Sequence, residues 1–317
     1  MYDFRKKWYI DMTMNEFCEK MTEAGYIYDN TLATSLYVAL QLGRPLLVEG
    51  AAGVGKTEIA KVMSSVLGRE LVRLQCYTGL DESKSLYEWN YQKQLLSIQV
   101  NMGQKESDEL TRSLFSEEYL LERPLLKSIR SEKPVVLLID EIDKADEEFE
   151  AFLLELLSDM QVSIPEIGTV RAKSLPFIVL TSNRVRPLSD ALRRRCAYVY
   201  IQYPDAEKEL AIVRSRLPHV DERLAVQVVG AVQKLRANDT ILKKPSIAET
   251  LDWAEALDAL GVRDLTPELL RDTVGFVLKN SEDILAAEDL LSEKSEKEEL
   301  ACGGECGCGH HHLHHDK

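Results

Sequence analysis

The fold is decided by the stretch Gly50-Ala51-Ala52-Gly53-Val54-Gly55-Lys56-Thr57, which fits the phosphate-loop pattern GxxxxGK[ST] in full. The mostly apolar run at 45–49 before it predicts a short buried strand, and residues 56–67 after it predict a helix. A strand, a glycine-rich loop and a helix in this order predict a binding site for the phosphates of a nucleotide.

The residue types in this loop suit phosphate binding. Glycines let the backbone curl so that successive N–H groups point at the phosphates, and the helix N-terminus adds partial positive charge. We expect Lys56 to lie against the phosphates and Thr57 to offer its hydroxyl to Mg²⁺. The alternative is an ordinary glycine-rich turn, which the Lys-Thr pair and the strand–loop–helix context disfavour.

A second predicted strand ends in two acids. The run Val135-Val136-Leu137-Leu138-Ile139 predicts a buried parallel strand, and Asp140 and Glu141 follow it. At this position Asp140 would hold Mg²⁺ through its water shell, and Glu141 would polarise the water that attacks the γ-phosphate. The alternative is a strand that merely stops at a polar turn, and the complete phosphate loop nearby disfavours it.

A third predicted strand and a short helix add polar groups at the same edge. Asn183 follows the strand and could orient the attacking water or touch the γ-phosphate, although Asn is also a common turn residue after a strand. Residues 190–195 predict a short helix that carries three adjacent arginines, Arg193, Arg194 and Arg195. At least one could reach a phosphate bound by a neighbouring subunit, and the alternative is a solvated basic face.

The order of predicted elements indicates the α/β class. Strands alternate with helices, which predicts a three-layer P-loop domain with a parallel sheet over residues 1–204. Inside it, residues 117–130 predict a helix and residues 162–174 predict a hairpin. The strand signal then disappears, so that residues 205–280 predict a small all-α lid domain and residues 281–317 a charged linker with a Cys/His-rich tail.

Composition limits the classes of partner. The 317 residues carry a net charge of −14, which argues against a wide duplex-binding surface, and we do not expect a nucleic-acid partner. No apolar run approaches the roughly 18 residues that span a bilayer, and residues 1–10 lack the pattern of a secretory signal. We therefore expect a cytoplasmic protein without a membrane partner.

The strings GAAGVGKTE, LIDEIDKAD, LTSN and DALRRRC, in this order and spacing, resemble the AAA+ ATPases over residues 25–280. The resemblance implies an ATP hydrolase with Mg²⁺ as cofactor. It implies roles residue by residue: a nucleotide-binding pair (Lys56, Thr57), a Walker B pair (Asp140, Glu141), a sensor-1 residue (Asn183) and a trans-acting arginine finger, for which Arg195 before Cys196 matches best and Arg194 second.

Three further segments resemble the MoxR branch of these ATPases. They are the hairpin at 162–174, the long insertion at 81–131 and the string KKPSIAETLDW at 243–253. The last string resembles the CoxD-like subgroup, which is associated with carbon monoxide dehydrogenase maturation. This resemblance implies a homo-oligomeric ring, usually a hexamer, that acts as a remodelling chaperone on a metalloenzyme or other client, often with a von Willebrand factor A domain partner.

The predicted lid departs from the family in one respect. Many AAA+ proteins carry an arginine early in a lid helix, where it contacts the γ-phosphate, but here that helix begins Pro245-Ser246-Ile247-Ala248. Lys243 or Lys244 could substitute for the missing arginine, and a flanking solvated lysine is the alternative.

The tail supports a second hypothesis of function. It holds three thiols and five imidazoles, on Cys302, Cys306, Cys308, His310, His311, His312, His314 and His315. Sulfur suits Cu⁺ and Zn²⁺, imidazole suits Zn²⁺ and Ni²⁺, and the alternative is an expression-tag remnant. A tail that binds metal would fit a nucleotide-gated metal delivery or storage protein. A third class, a nucleic-acid motor such as a clamp loader, is disfavoured by the acidic balance.

Overall fold

The computed structural model describes residues 11–101, 114–165 and 167–287, and the chain divides into two compact units between Pro204 and Asp205. In the first unit the helices are α1 (Met14–Glu23), α2 (Asn30–Leu42), α3 (Lys56–Leu67), α4 (Glu82–Ser85), α5 (Tyr91–Asn101), α6 (Pro124–Arg130), α7 (Glu147–Asp159) and α8 (Asp190–Arg195). Short 3₁₀ turns lie at Glu117–Tyr119 and Ile142–Lys144.

The strands of this unit form one parallel sheet and two small antiparallel pairs. They are β1 (Leu46–Gly50), β2 (Leu71–Gln75), β3 (Tyr87–Trp89), β4 (Leu120–Glu122), β5 (Val136–Asp140), β6 (Gln161–Ile164), β7 (Gly168–Arg171), β8 (Phe177–Ser182) and β9 (Ala197–Ile201). The parallel sheet has five strands in the order β2-β5-β8-β1-β9, while β3 pairs with β4 and β6 with β7.

The sheet is the middle of three layers, as predicted. Every residue of β1, β5 and β8 is buried. Successive side chains point to opposite faces of the sheet, so that Leu47 and Leu137 join one apolar cluster while Leu46 and Leu138 join the other. Because the three strands are parallel, their carboxyl ends meet at one edge, and the polar residues that follow them lie there.

The predicted hairpin at 162–174 is confirmed by the pairing of β6 with β7. The predicted helix at 117–130 is wrong in its first half, because Leu120–Glu122 pairs with Tyr87–Trp89 as a strand. This pairing buries Leu120 and Trp89 in the core. The helix begins only at Pro124, since proline lacks an N–H and its fixed φ suits the first helical position.

The second unit is helical, as predicted. Its helices are α9 (Ala206–Arg216), α10 (Glu222–Ala237), α11 (Ile247–Ala259) and α12 (Pro267–Thr273), with a 3₁₀ turn at Val274–Phe276 and a helical segment at 281–287. That segment, which the sequence analysis assigns to the linker, packs Ile284 and Ala287 against the core of this unit. Its buried Asp283 also accepts the backbone N–H groups of Leu242 at 2.7 Å and Lys243 at 3.1 Å.

A buried ion pair joins three helices of this unit. Arg236 donates to both carboxylate oxygens of Glu209, at 2.5 and 2.7 Å, and Thr250 and Gln233 donate to the same carboxylate at 2.6 and 2.7 Å. A buried charge pair is tolerated only when its remaining acceptors are satisfied, and this one meets that condition. Nearby, the Lys244 ammonium donates to the carbonyl of Asn238, so this candidate for the missing lid arginine is bound within its own unit.

Two cysteines, Cys76 and Cys196, lie in the core of the first unit. Burial raises the pKa of Cys76 and of Cys196 to about 12, which keeps both thiols protonated and unreactive at neutral pH. Within the part of the chain that the structure describes, no helix has the length and apolar character needed to cross a membrane.

Candidate functional site

The phosphate loop connects β1 to α3, and its backbone depends on glycine. Gly55 caps α3 with φ 94°, a left-handed conformation that residues with a Cβ rarely adopt. A Cβ atom added to Gly50 would lie 2.5 Å from the carbonyl oxygen of Ile201. The loop therefore passes so close to β9 that only glycine fits at its first position.

Lys56 is the first residue of α3, and its side chain folds back over the loop. Its ammonium donates to the carbonyls of Gly50 at 3.1 Å and Ala51 at 2.6 Å, and the residue is only 6% exposed. Burial lowers the pKa of Lys56, and the nearby carboxylates, above all Asp143, oppose that effect. The result is a buried cation at a helix N-terminus, which is the arrangement that attracts phosphate.

Asp140 ends β5 beside the loop and is almost fully buried. One of its oxygens, Oδ1, accepts from Thr57 at 3.1 Å and from Thr181 at 2.5 Å. The other, Oδ2, accepts from Arg73 Nε at 3.1 Å and Arg73 Nη2 at 2.5 Å. The hydroxyl of Thr57 and the carboxylate of Asp140 are thus close enough to share one Mg²⁺ ion, directly or through its waters.

Glu141 follows in a left-handed conformation, with φ 57°, which is uncommon for a residue other than glycine. Its backbone N–H donates to Thr181 Oγ1 at 2.8 Å, which holds this conformation. Backbone strain of this kind costs on the order of 1–3 kcal/mol and persists where the surroundings enforce it, often at functional sites. Here it occurs at the residue that directly follows Asp140 at the end of β5.

Three donors hold the Glu141 carboxylate. Asn183 Nδ2 donates to Oε1 at 3.1 Å, Gln75 Nε2 donates to Oε2 at 2.8 Å, and Lys144 Nζ lies 2.6 Å from the same Oε2. The structure therefore brings Asn183, from the end of β8, together with Glu141, from the end of β5. The amide of Asn183 and the carboxylate of Glu141 are therefore close enough to contact the same water molecule.

Asp143 is a site residue that the sequence analysis missed. It is 2% exposed, and its Oδ2 accepts the backbone N–H groups of Asn183 at 3.1 Å and Val185 at 2.9 Å. Its Oδ1 has no hydrogen-bond partner among the described residues. The sequence does contain an indication of its role, since Asp143 is the third acid of the string LIDEIDKAD. Through its two hydrogen bonds, Asp143 holds the turn that contains Asn183.

The three arginines of α8 have different surroundings. Arg193 donates to both oxygens of the buried Glu49 carboxylate, at 3.2 Å each, and Tyr198 donates to the same group at 2.9 Å. Arg195 donates to Ser158 and to the carbonyl of Ala191. Arg194 is exposed on the surface. Arg193 is therefore bound to Glu49, directly before its own phosphate loop, whereas the partners of Arg195 lie on α7 and on α8 itself.

The predicted tail ligands, from Cys302 to His315, lie outside the described residues. In the segments 11–101, 114–165 and 167–287, no group of three or more His, Cys, Asp or Glu residues could hold a metal ion on its own.

The residues at the sheet edge fit a nucleoside triphosphate with Mg²⁺. The glycine loop and the buried ammonium of Lys56 supply positive groups, and the Thr57 hydroxyl with the Asp140 carboxylate supplies the hard oxygen ligands that Mg²⁺ prefers. Mg²⁺ takes few protein ligands and keeps most of its waters, so two oxygen-bearing side chains are enough.

Comparisons with known proteins agree with this site. Residues 45–196 match the family model of the AAA domain (dynein-related subfamily). The chain is 24% identical over 244 residues to an uncharacterized protein of Staphylococcus saprophyticus, covering 75% of this chain and 84% of the relative. It is also 24% identical over 237 residues to an uncharacterized protein of Staphylococcus aureus, covering 72% of this chain and 81% of that one.

Among solved structures, the chain is similar to two structures of RuvB of Thermotoga maritima, one of them a mutant and the other titled a Holliday junction branch migration motor. The mutant gives a TM-score of 0.47 at 17% identity and covers 78% of this chain and 69% of its own. The second gives a TM-score of 0.43 at 17% identity, with coverage of 81% and 68%. The part of the chain that matches the AAA domain, residues 45–196, contains this sheet edge, and a match to that domain implies a nucleotide-hydrolysing ATPase that uses ATP and Mg²⁺.

Proposed function

We propose that this protein is a Mg²⁺-dependent ATPase of the AAA+ class that assembles into a ring and remodels a client protein. By resemblance to its family, the proposed ring is a hexamer. One observation carries the proposal. At one sheet edge the structure places Lys56 and Thr57 of the phosphate loop, Asp140 and Glu141 at the end of β5, and Asn183 directly after β8. Each lies within hydrogen-bond distance of another of these residues or of the loop.

Each residue at this edge has a part in the proposed hydrolysis. Lys56 binds the β- and γ-phosphates, and Thr57 with Asp140 holds Mg²⁺, which neutralises charge on the phosphates when bound. Glu141 accepts the proton of the attacking water, and Asn183 orients that water or the γ-phosphate. Asp143 keeps Asn183 in place through the two backbone N–H groups that it accepts.

We further propose that hydrolysis is completed by an arginine of the neighbouring subunit, with Arg195 as first choice and Arg194 as second. Arg195→Ala should lower hydrolysis about a thousandfold or more while nucleotide binding is retained, because the arginine stabilises charge that develops only in the transition state. Phosphate release and nucleotide affinity, measured on the assembled protein, give the two readouts.

Mixing variants tests whether the arginine acts in trans. Arg195→Ala subunits keep Glu141, and Glu141→Gln subunits keep Arg195, so a mixed assembly contains some sites with both groups. We expect mixing to restore part of the activity. If the mixture shows only the sum of its separate activities, the arginine acts within its own subunit or is a surface residue. The same pair of experiments with Arg194→Ala decides between the two candidates.

The client is proposed from resemblance to the MoxR branch. The β6–β7 hairpin and the insertion at 81–131, which contains the β3–β4 pair, support membership of that branch. The CoxD-like string at 243–253 supports a role in maturation of a metalloenzyme, and the same resemblance supports a von Willebrand factor A domain protein as co-partner.

A second candidate function is nucleotide-gated metal delivery or storage, which the cysteines and histidines of the tail favour. We expect the full-length protein to retain Zn²⁺, Ni²⁺ or Cu⁺ after dialysis and a protein truncated after Leu300 to lose it, since no described group holds such a metal. Elemental analysis of both proteins measures this. Equal metal content in the two would remove this function and leave the ATPase proposal intact.

A further inference from the structure

Arg73 is a cation at the nucleotide site that no phosphate-loop or Walker B pattern contains. It lies in the middle of β2, and its guanidinium reaches the Asp140 carboxylate on the neighbouring strand through Nε at 3.1 Å and Nη2 at 2.5 Å. Nη2 also donates to Gln75 Oε1 at 2.5 Å, and Gln75 Nε2 donates to Glu141 at 2.8 Å. Arg73 and Gln75 thus connect the two adjacent acids.

The hydrogen bonds of Asp140 show which acceptor sites of its carboxylate Arg73 occupies. A carboxylate offers about four acceptor sites. Thr57 and Thr181 use Oδ1, and the two nitrogens of Arg73 use Oδ2, with Thr57 also 3.4 Å from that oxygen. All acceptor sites of Asp140 are therefore used by protein donors. A Mg²⁺ ion, or a water bound to it, needs at least one of them.

Of the groups on Asp140, Arg73 is the one that can leave. The side chain of Arg73 is 52% exposed, whereas that of Asp140 is 3% exposed. Thr57 and Thr181 are fixed to a helix and to a central strand, but the long arginine side chain can rotate into solvent without disturbing the sheet. Its departure frees Oδ2 and leaves the two threonines to orient the carboxylate.

We propose that Arg73 is the counter-ion of Asp140 in the nucleotide-free protein and that it competes with Mg²⁺ for Oδ2. This inference rests on the proposed function in one respect, the role of Asp140 in holding Mg²⁺. Three acids, Asp140, Glu141 and Asp143, crowd this edge, and Lys56 and Lys144 are other cations near them. Arg73 is the cation in direct contact with the buried Asp140, at the oxygen that Mg²⁺ or one of its waters would need.

The competing explanation is a permanent structural ion pair that keeps Asp140 in position whether or not Mg²⁺ is bound. The two explanations predict opposite effects of removing the guanidinium. A competitor that is removed makes Mg²⁺ bind more readily, whereas a support that is removed makes Mg²⁺ bind less readily or not differently.

The experiment measures the affinity of a fluorescent ADP analogue in EDTA and at increasing Mg²⁺ concentration. It compares the wild-type protein, Arg73→Gln, Arg73→Lys and the control Arg123→Gln. Arg123 is 46% exposed and pairs with Glu88 on β3, a strand that does not belong to the five-stranded sheet carrying the phosphate loop. We expect the Mg²⁺-dependent gain in affinity to rise about fivefold or more in Arg73→Gln, to rise less in Arg73→Lys, and to match wild type in Arg123→Gln.

Thermal melting without nucleotide provides a readout that is independent of the ATPase reaction. Arg73→Gln should melt at a lower temperature than wild type in EDTA, because Asp140 has lost its counter-ion, and Mg²⁺ alone should raise that temperature more than it does for wild type. An unchanged or smaller Mg²⁺ response in both measurements overturns the competition.

The outcomes for Arg73 and for the proposed function can be told apart. Wild-type protein that binds nucleotide in EDTA, with Lys56→Ala protein that does not, supports the site assignment. If the Mg²⁺ response is then independent of Arg73, only the competition between Arg73 and Mg²⁺ is ruled out. If nucleotide does not bind, or binds equally well in Lys56→Ala, the site assignment itself fails.

Discussion

Lys56→Ala should weaken ATP binding by about a hundredfold to a thousandfold, the range expected when one partner of a buried charged contact is removed. The ammonium of Lys56 is buried in the loop and held by two carbonyls, so it is already positioned for the phosphates. Alanine leaves the loop backbone and the helix N-terminus intact but removes this charge. Isothermal titration calorimetry with ATP and Mg²⁺ measures the loss.

The matched control for this prediction is Lys61→Ala. Lys61 lies on the same helix, more than one turn after Lys56. Its side chain is 60% exposed, and its ammonium lies 3.0 Å from the Glu58 carboxylate. Surface pairs of this kind contribute little, so we expect wild-type affinity. Circular dichroism confirms that both variants are folded. Tight ATP binding by folded Lys56→Ala protein would show that the triphosphate does not bind in this loop.

The sequence predicts this part of the fold well because the chemistry is local. The strand, the loop and the helix around Lys56 are contiguous, and the loop needs glycine at fixed positions. The strands that end at Asp140 and Asn183 are runs of buried apolar residues, and such runs are readable without knowledge of their neighbours. The location of polar residues at one sheet edge then follows from the parallel arrangement.

Contacts between distant segments could not be predicted in the same way. Arg73 reaches Asp140 because β2 pairs with β5, and nothing in the spacing of 67 residues between them encodes that pairing. The strand at Leu120–Glu122 was missed for a similar reason. Three residues show no useful periodicity, and pairing with Tyr87–Trp89 decides their conformation.

Glu141→Gln should preserve ATP binding and lower hydrolysis by about a hundredfold to ten-thousandfold, the usual contribution of a general base. Glutamine has nearly the same shape, and its amide oxygen can still accept from Asn183 or from Gln75, so the site keeps its form. The amide cannot accept a proton from water. Phosphate release and the amount of retained nucleotide together separate binding from hydrolysis.

Glu148→Gln is the matched control, because Glu148 is an exposed acid in the first turn of α7 and contacts neither Asn183 nor the phosphate loop. We expect wild-type hydrolysis from it. If Glu141→Gln also hydrolyses ATP at the wild-type rate, Glu141 is not the base, and Asp143→Asn becomes the next variant to measure, since Asp143 has an oxygen without a partner among the described residues.

The same variant extends to the proposed remodelling activity. Under the proposed function, a ring that binds ATP without hydrolysing it should hold its client, because release would follow the hydrolysis that Glu141 supports. We therefore expect ATP-loaded Glu141→Gln protein to retain a defined client at stoichiometric amounts, and Lys56→Ala protein, which cannot load ATP, to retain none. Equal retention by both variants would mean that any bound protein is held independently of nucleotide, and the ATPase would then have to act on something other than that protein.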